Sequence, residues 1–115
     1  MDNETIPLDS SSSQAEEPLY ILSLLNNELK SSSWKLINKE YKIGRSFENN
    51  IILDDITVSR KHAFLSVNKE IIKITDNNST NGIYINNEIK SDSKLKSGDK
   101  IQIGKYLLLL TEVIK

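Results

Sequence analysis

Short apolar runs separated by turn residues restrict the fold of this chain more than any other sequence feature. The runs recur about every 8–12 residues, and no window keeps a helical period. Several alternate with period 2, as Tyr41–Ile43 does, which is typical of a half-buried strand. This pattern predicts an antiparallel β-sandwich or barrel. The predicted strands are Leu19–Leu25, Trp34–Ile37, Tyr41–Ile43, Ile51–Leu53, Ala63–Val67, Ile71–Thr75, Ile83–Ile85 with Ile89, Lys100–Ile103 and Tyr106 to about Ile114.

Polar segments between these runs predict the connections. The sequence Asn68-Lys69 is a candidate two-residue hairpin turn, and Asn86-Asn87-Glu88 is a second asparagine-rich hairpin. We expect the serines at 31–33 to form a loop before the strand at Trp34.

The first 18 residues differ in composition from the rest. They contain four consecutive serines and five of the sixteen acidic side chains, but no basic one. Such a segment buries too little apolar surface to offset its ordering entropy, so we expect a disordered acidic tail over 1–18 and one domain over 19–115. The domain then has eleven acidic and fifteen basic residues, a formal charge of +4 that suits an anionic ligand.

Composition excludes several classes of function. The chain has no cysteine and one histidine, so neither thiol chemistry nor a metal cluster is expected. The N-terminus lacks a basic, apolar leader, and the longest apolar run, Leu107–Leu110, is too short to span a bilayer. The lysines are scattered and form no stripe with aromatic residues, which argues against nucleic-acid binding. We therefore expect a cytoplasmic, non-enzymatic protein without cofactor, metal, membrane or nucleic-acid partner.

Three loops between the predicted strands carry the functional groups. They contain Gly44-Arg45-Ser46, Thr57–His62 and Asn78–Gly82. Thirteen of the fifteen basic residues are lysines, and both arginines, Arg45 and Arg60, lie in these loops. A planar guanidinium binds an oxyanion with two parallel hydrogen bonds, which lysine cannot do.

The remaining loop residues complete an anion receptor. Ser59 and Thr80 offer hydroxyls, and Asn81 offers both a donor and an acceptor for a peptide backbone. The pair Ser59 and His62 could suggest a hydrolase, but no orienting acid or nucleophile elbow accompanies it. Phosphate, with three acceptor oxygens and a charge of about −1.5 to −2, is the anion that this set of donors favours.

At this level of detail the sequence resembles the forkhead-associated (FHA) domain. The resemblance covers about residues 19–115, and it rests on five motifs in the family's order: Gly44-Arg45-Ser46, Asn49–Asp55, Val58–Ala63, Ser79-Thr80-Asn81-Gly82 and Leu95–Gly104. It implies an eleven-stranded β-sandwich whose loops at one end bind phosphothreonine peptides.

The resemblance also implies roles for single residues. Arg45 and Ser59 would contact phosphate, Arg60 and Thr80 would assist, and Asn81 would hold the peptide backbone. Structural support would come from Gly44, His62 and Gly82. One departure is Asn78, which stands where the family usually has glycine; asparagine tolerates the left-handed conformation, so we expect a small effect.

The function so implied is a phosphothreonine-binding adaptor that couples an upstream Ser/Thr protein kinase to a phosphorylated partner protein. One alternative is a self-regulated switch in which phosphorylated Thr5 occupies the site of its own or a neighbouring chain. About thirteen flexible residues would let Thr5 reach roughly 20 Å, but Asn3–Leu8 does not match the paired-threonine motif of bacterial regulators with this fold. The other alternative is a phospho-independent interaction subunit.

Overall fold

Eleven β-strands form the part of the protein that the structure describes. The computed structural model describes residues 19–26, 32–37, 39–69 and 71–113. The predicted disordered tail, 1–18, lies outside this range. In chain order the strands are β1 (Leu19–Leu24), β2 (Ser32–Leu36), β3 (Lys39–Gly44), β4 (Ile51–Ile52), β5 (Ala63–Asn68), β6 (Ile71–Asp76), β7 (Ile83–Ile85), β8 (Glu88–Lys90), β9 (Asp92–Leu95), β10 (Lys100–Ile103) and β11 (Tyr106–Val113).

The strands belong to two sheets. The five-stranded sheet has the order β9-β6-β5-β3-β4, and the six-stranded sheet has the order β2-β1-β11-β10-β7-β8. All pairings are antiparallel except β3 with β4, where Ile43 lies opposite Ile51. The predicted sandwich of about eleven short strands is therefore confirmed, with one parallel pair that the strand pattern did not indicate.

One core lies between the sheets because each strand directs alternate side chains inward. The strand β10 shows this clearly: Ile101 and Ile103 are buried, while Lys100 and Gln102 are exposed. Fully buried side chains come from both sheets and include Leu22, Ile43, Ile51, Leu65, Ile72, Ile74, Ile83, Ile101, Ile103, Leu108 and Leu110.

Three local predictions were wrong. Ser32 and Ser33 belong to β2 rather than to a loop, because they pair with Leu24 and Ser23 of β1. Asn68 pairs with Ile71, so the turn after β5 lies one residue later than predicted. Strand β9 was missed because only Leu95 of its four residues is buried, which leaves no apolar run to detect.

The hairpin between β7 and β8 was predicted correctly. Ile85 pairs with Glu88, and the two turn residues, Asn86 and Asn87, have φ of 51° and 72°. Two consecutive positive φ values are those of a type I′ turn, whose twist matches that of the flanking strands.

Candidate functional site

The three loops with the predicted binding residues meet at one end of the sandwich. Strand β3 ends at Gly44, and the antiparallel β5 begins beside it, with Ala63 opposite Ile43. Asp76, at the end of β6, pairs with Ala63 and brings the loop of residues 77–82 to the same end. The sheet register thus brings together segments that are up to 38 residues apart in sequence, from Gly44 to Gly82.

A concavity of about 340 Å³ lies between these loops. All five residues predicted to bind a phosphopeptide line it: Arg45, Ser59, Arg60, Thr80 and Asn81. Of the three other lining residues, Thr57 and Val58 belong to loop segments that the sequence singled out, but no ligand contact was predicted for them, and Ile56 was not indicated. Ile56 is the most exposed of these, at 87%, so it forms an apolar rim beside the polar concavity.

The two guanidinium groups have no anionic partner in the part of the chain that the structure describes. Among the described residues, neither Arg45 nor Arg60 pairs with a carboxylate. The Nε of Arg45 is the one buried side-chain nitrogen or oxygen there that has no hydrogen-bond partner. A buried donor without an acceptor costs free energy, which an anion in the concavity would recover.

The hydroxyl of Ser59 is already oriented by the fold. The backbone N–H of Thr80 donates to Ser59 Oγ at 3.0 Å, so this oxygen acts as an acceptor and keeps its proton available for donation. In addition, Arg45 N donates to Ser59 O at 3.0 Å. Ser59 therefore fixes the positions of both other loops, that of Thr80 through its hydroxyl and that of Arg45 through its carbonyl oxygen.

His62 lies in the framework below the concavity and is fully buried. Its Nδ1 accepts a hydrogen bond from Ser59 N at 3.0 Å, and its Nε2 lies 2.7 Å from Gly82 O. Because a carbonyl oxygen can only accept, the proton is on Nε2. The backbone N of His62 also donates to Ile43 O at 2.8 Å.

Gly44 allows the closest backbone approach in the site. A Cβ at this position would lie 2.2 Å from Arg60 O. That carbonyl also accepts a hydrogen bond from Asn49 Nδ2 at 2.8 Å, and the same amide donates to Ser46 O at 2.8 Å. Asn49 is buried and connects the two arginine loops. Asn49 begins the Asn49–Asp55 motif on which the resemblance rests, but no role was predicted for it.

Asn81 is oriented by Thr57, which lies in a predicted functional loop but for which the sequence predicted no role. Its Nδ2 donates to Thr57 O at 2.9 Å, which leaves one amide N–H and Oδ1 for a ligand backbone. Thr57 is in turn fixed on both sides. Its Oγ1 donates to Asp55 Oδ2 at 2.6 Å and accepts from Lys105 N at 2.9 Å.

The carboxylate of Asp55 is stabilised by this network. The hydrogen bonds from the Thr57 hydroxyl and backbone N–H, with Lys105 Nζ at 3.2 Å from Asp55 Oδ1, lower the pKa of Asp55 from 3.8 to about 2. The ion pair also raises the pKa of Lys105. Because Asp55 neutralises Lys105, the unpaired positive charge of the concavity comes from Arg45 and Arg60.

The loop of residues 77–82 is shaped by its polar residues. Asn78 has φ of 53° and Gly82 has φ of 77°, so asparagine adopts the left-handed conformation where the resemblance leads one to expect glycine. Ser79 Oγ donates to Asp76 Oδ1 and accepts from Gly82 N. These bonds keep Thr80 and Asn81 at the exposed tip of the loop.

The arrangement offers hydrogen-bond donors to an anion and a free amide to a peptide backbone. Among the described residues, no group of three His, Asp or Glu side chains could hold a metal ion. No helix in the described part of the chain is long and apolar enough to cross a membrane. Thr5 lies outside the described residues, and its phosphorylation stays a prediction.

The chain is similar to known proteins in its family pattern, in its sequence and in its fold. The family model of the FHA domain matches residues 41–104. Among curated proteins, an oxoglutarate dehydrogenase inhibitor from Corynebacterium efficiens is 46% identical over 66 residues, which are 57% of this chain and 46% of that protein. The chain thus spans about half the length of the curated relatives it matches.

Solved structures give the same result for the fold. The FHA domain of the CT664 protein from Chlamydia trachomatis has a TM-score of 0.77 and 25% identity, covering 83% of this chain and 98% of that chain. A domain solved in an analysis of phosphothreonine-dependent FHA domain interactions has a TM-score of 0.75 and 27% identity. The match covers 81% of this chain and 95% of that chain.

Proposed function

The chain belongs to the FHA domain family, and we propose from this that it binds phosphothreonine-containing segments of a partner protein through the concavity at the loop end. One observation carries the proposal. The site holds two guanidinium groups that no described carboxylate neutralises, and the buried Nε of Arg45 has no acceptor. This unpaired charge and this unpartnered donor support an oxyanion, supplied from outside, as the ligand.

Each lining residue has a role in this proposal. Arg45 and the Ser59 hydroxyl donate to the phosphate oxygens, while Arg60 and the Thr80 hydroxyl bind its outer side. A hydrogen bond to a charged group contributes about 1.5–3 kcal/mol, roughly twice a neutral one. The phosphate therefore supplies most of the affinity, and an unphosphorylated threonine cannot replace it.

Asn81 supplies contacts to the peptide itself. Its free N–H and Oδ1 match the C=O and N–H of one peptide residue, because its other N–H is held by Thr57 O at 2.9 Å. Ile56, Thr57 and Val58 form the less polar part of the lining. A threonine methyl group can pack there, which serine lacks, and this supports a preference for phosphothreonine over phosphoserine.

The biological role that we propose is that of a regulatory adaptor rather than an enzyme. A Ser/Thr protein kinase would create the ligand, and binding would bring the phosphorylated partner under control. The curated relative is named an oxoglutarate dehydrogenase inhibitor, which is consistent with action on another protein by binding. Identifying the proteins that this chain captures through their phosphothreonine will show whether the partner is a metabolic enzyme.

The decisive experiment is binding of the full chain to degenerate peptide libraries that carry phosphothreonine, phosphoserine or unphosphorylated threonine. Selective capture from the phosphothreonine library is expected. Arg45→Ala should abolish that selectivity, and Lys42→Ala, which removes an exposed charge on the preceding strand β3, should preserve it. Equal capture from all three libraries would instead support a phospho-independent interaction subunit.

A further inference from the structure

The sequence contains one Asn-Gly pair, Asn81-Gly82, at the exposed tip of the loop of residues 77–82. In such a pair the backbone nitrogen of the second residue can attack the side-chain amide of the first. Glycine hinders this attack least, because it places no side chain beside the nitrogen and adopts backbone conformations that other residues avoid. Gly82 does so here, with φ of 77°. The asparagine that lines the concavity is therefore also the one in the most reactive backbone context.

The reaction at such a pair needs only water as a co-reactant. Gly82 N loses its proton to water and forms a bond to Cγ of Asn81, while the side-chain NH₂ takes up a proton and leaves as ammonia. The product is a five-membered succinimide with two carbonyl groups. Water adds to one of them and opens the ring to aspartate or to isoaspartate. One water is consumed and one ammonia is released, and nothing is oxidised or reduced.

Hydrogen bonds restrain both reacting groups in the folded protein. Gly82 N donates its proton to Ser79 Oγ at 2.9 Å, and Asn81 Nδ2 donates to Thr57 O at 2.9 Å. The attack requires that the first proton be lost and that the second amide turn away from Thr57, so both bonds must break. The reaction therefore proceeds from a locally opened loop, whose population depends on the strength of these two bonds.

We propose that Asn81 is a deamidation site, that the hydrogen bonds to Ser79 and Thr57 set its rate, and that the reaction switches off the concavity. An aspartate at position 81 can only accept hydrogen bonds, so it loses the bond to Thr57 O and cannot donate to a peptide carbonyl. Its negative charge also opposes an anionic ligand in the same concavity. Isoaspartate in addition lengthens the main chain at the loop tip.

A bound ligand should slow the reaction. A peptide backbone paired with the free N–H and Oδ1 of Asn81 would hold the amide in place and keep the loop closed. This part of the inference rests on the proposed function, whereas the deamidation itself does not. Chains with an occupied site would then keep their activity, and idle chains would lose it with time.

The test follows the full chain during incubation at mildly alkaline pH. Peptide mass spectrometry measures the conversion of Asn81 to an acid, and an isoaspartyl methyltransferase assay detects the isoaspartate. Ser79→Ala should accelerate the conversion about two- to tenfold, the factor that one neutral hydrogen bond contributes to loop closure. Ser97→Ala is the matched control, because Ser97 Oγ also accepts from a backbone N–H, that of Glu112, at 2.9 Å. It should leave the rate unchanged.

Two measurements need no variant of the loop. In concentrated urea, where both hydrogen bonds are lost, wild-type Asn81 should convert faster than in the native protein. Asn87, which is exposed with φ of 72° but precedes glutamate, is an internal standard and should convert more slowly than Asn81. Conversion of Asn81 no faster than that of Asn87 in urea would overturn the site. Equal rates for Ser79→Ala and Ser97→Ala would overturn the restraint by Ser79.

The functional consequence has its own readout. Asn81→Asp, the product of the reaction, should bind a phosphothreonine peptide at least tenfold more weakly than the wild type, and wild-type affinity in this variant would overturn the switch. A saturating phosphothreonine peptide should slow the conversion of Asn81, and an unchanged rate would overturn protection by the ligand. Conversion of Asn81 in a chain that binds no phosphopeptide would overturn the proposed function and support the deamidation site.

Discussion

The Nε2 of His62 lies 2.7 Å from the carbonyl oxygen of Gly82, twenty residues further along the chain. Through this contact and the bond from Ser59 N to its Nδ1, one buried ring connects the Ser59 loop to the loop of Thr80 and Asn81. The histidine thus sets the spacing between the residues proposed to hold phosphate and the residue proposed to hold the peptide.

His62→Ala should destabilise the fold and weaken phosphopeptide binding together. It removes two buried hydrogen bonds and leaves a cavity, at a cost of about 2–4 kcal/mol. Urea denaturation and calorimetry on the same sample measure the two effects. Lys61→Ala, an exposed neighbour, should stay within about 0.5 kcal/mol of the wild type. A variant at position 62 with wild-type stability would contradict a structural role for the ring.

Arg45→Ala should lower phosphothreonine-peptide affinity at least tenfold, because the lost charge-assisted hydrogen bonds contribute about 1.5–3 kcal/mol. Arg45→Lys should recover only part of the affinity, since an ammonium keeps the charge but not the planar pair of donors. Calorimetric titration with one fixed phosphopeptide separates the three proteins. Wild-type affinity in the alanine variant would remove Arg45 from the site.

Gly44→Ala should both destabilise the protein and impair binding. Its new methyl group would lie 2.2 Å from Arg60 O and 2.8 Å from Asn49 Nδ2, so the arginine loops must separate at a cost of about 1–3 kcal/mol. Gly98→Ala is the control. No atom lies within 4 Å of a methyl group there, although φ is 98°, so stability should fall by about 1 kcal/mol or slightly more while affinity is retained. Equal affinities for both variants would contradict the close-approach argument.

Asp55 should make stability depend on pH in the acidic range. Because hydrogen bonds from Thr57 lower the pKa of Asp55 to about 2 in the folded protein, its contribution is complete above the ordinary pKa of 3.8 and is lost as pH falls towards 2. The Asp55→Asn variant has no carboxylate to protonate at this position. Its free energy of unfolding should therefore fall less than that of the wild type as the pH decreases from 3.8 towards 2.

The cause of the Asp55 shift can be tested directly. Thr57→Val removes the hydroxyl that contributes most to it, so the pKa of Asp55, followed by carboxyl NMR, should rise towards 3.8. Thr57→Ser, which keeps the hydroxyl, should retain the low value. An unchanged titration in the valine variant would assign the shift to the backbone N–H and Lys105 instead.

The sequence was sufficient where neighbouring residues decide the structure. Alternating side chains determine which face of a strand is buried, so Tyr41–Ile43 and Lys100–Ile103 were predicted without knowledge of their partners. Asn86-Asn87 fixed the hairpin because asparagine tolerates the positive φ that a type I′ turn requires. Strand β9 was missed because one buried side chain, Leu95, gives no periodic signal.

The sequence by itself therefore determined the β-sandwich, the loops with both arginines and the set of donors. Only the tertiary structure decided how those donors are arranged. Asn49 reaches Arg60 O across eleven residues, Asn81 reaches Thr57 across twenty-four, and Lys105 reaches Asp55 across fifty. Such contacts depend on strand order and register, because hydrogen bonds act over about 3 Å and sequence distance gives no measure of that separation.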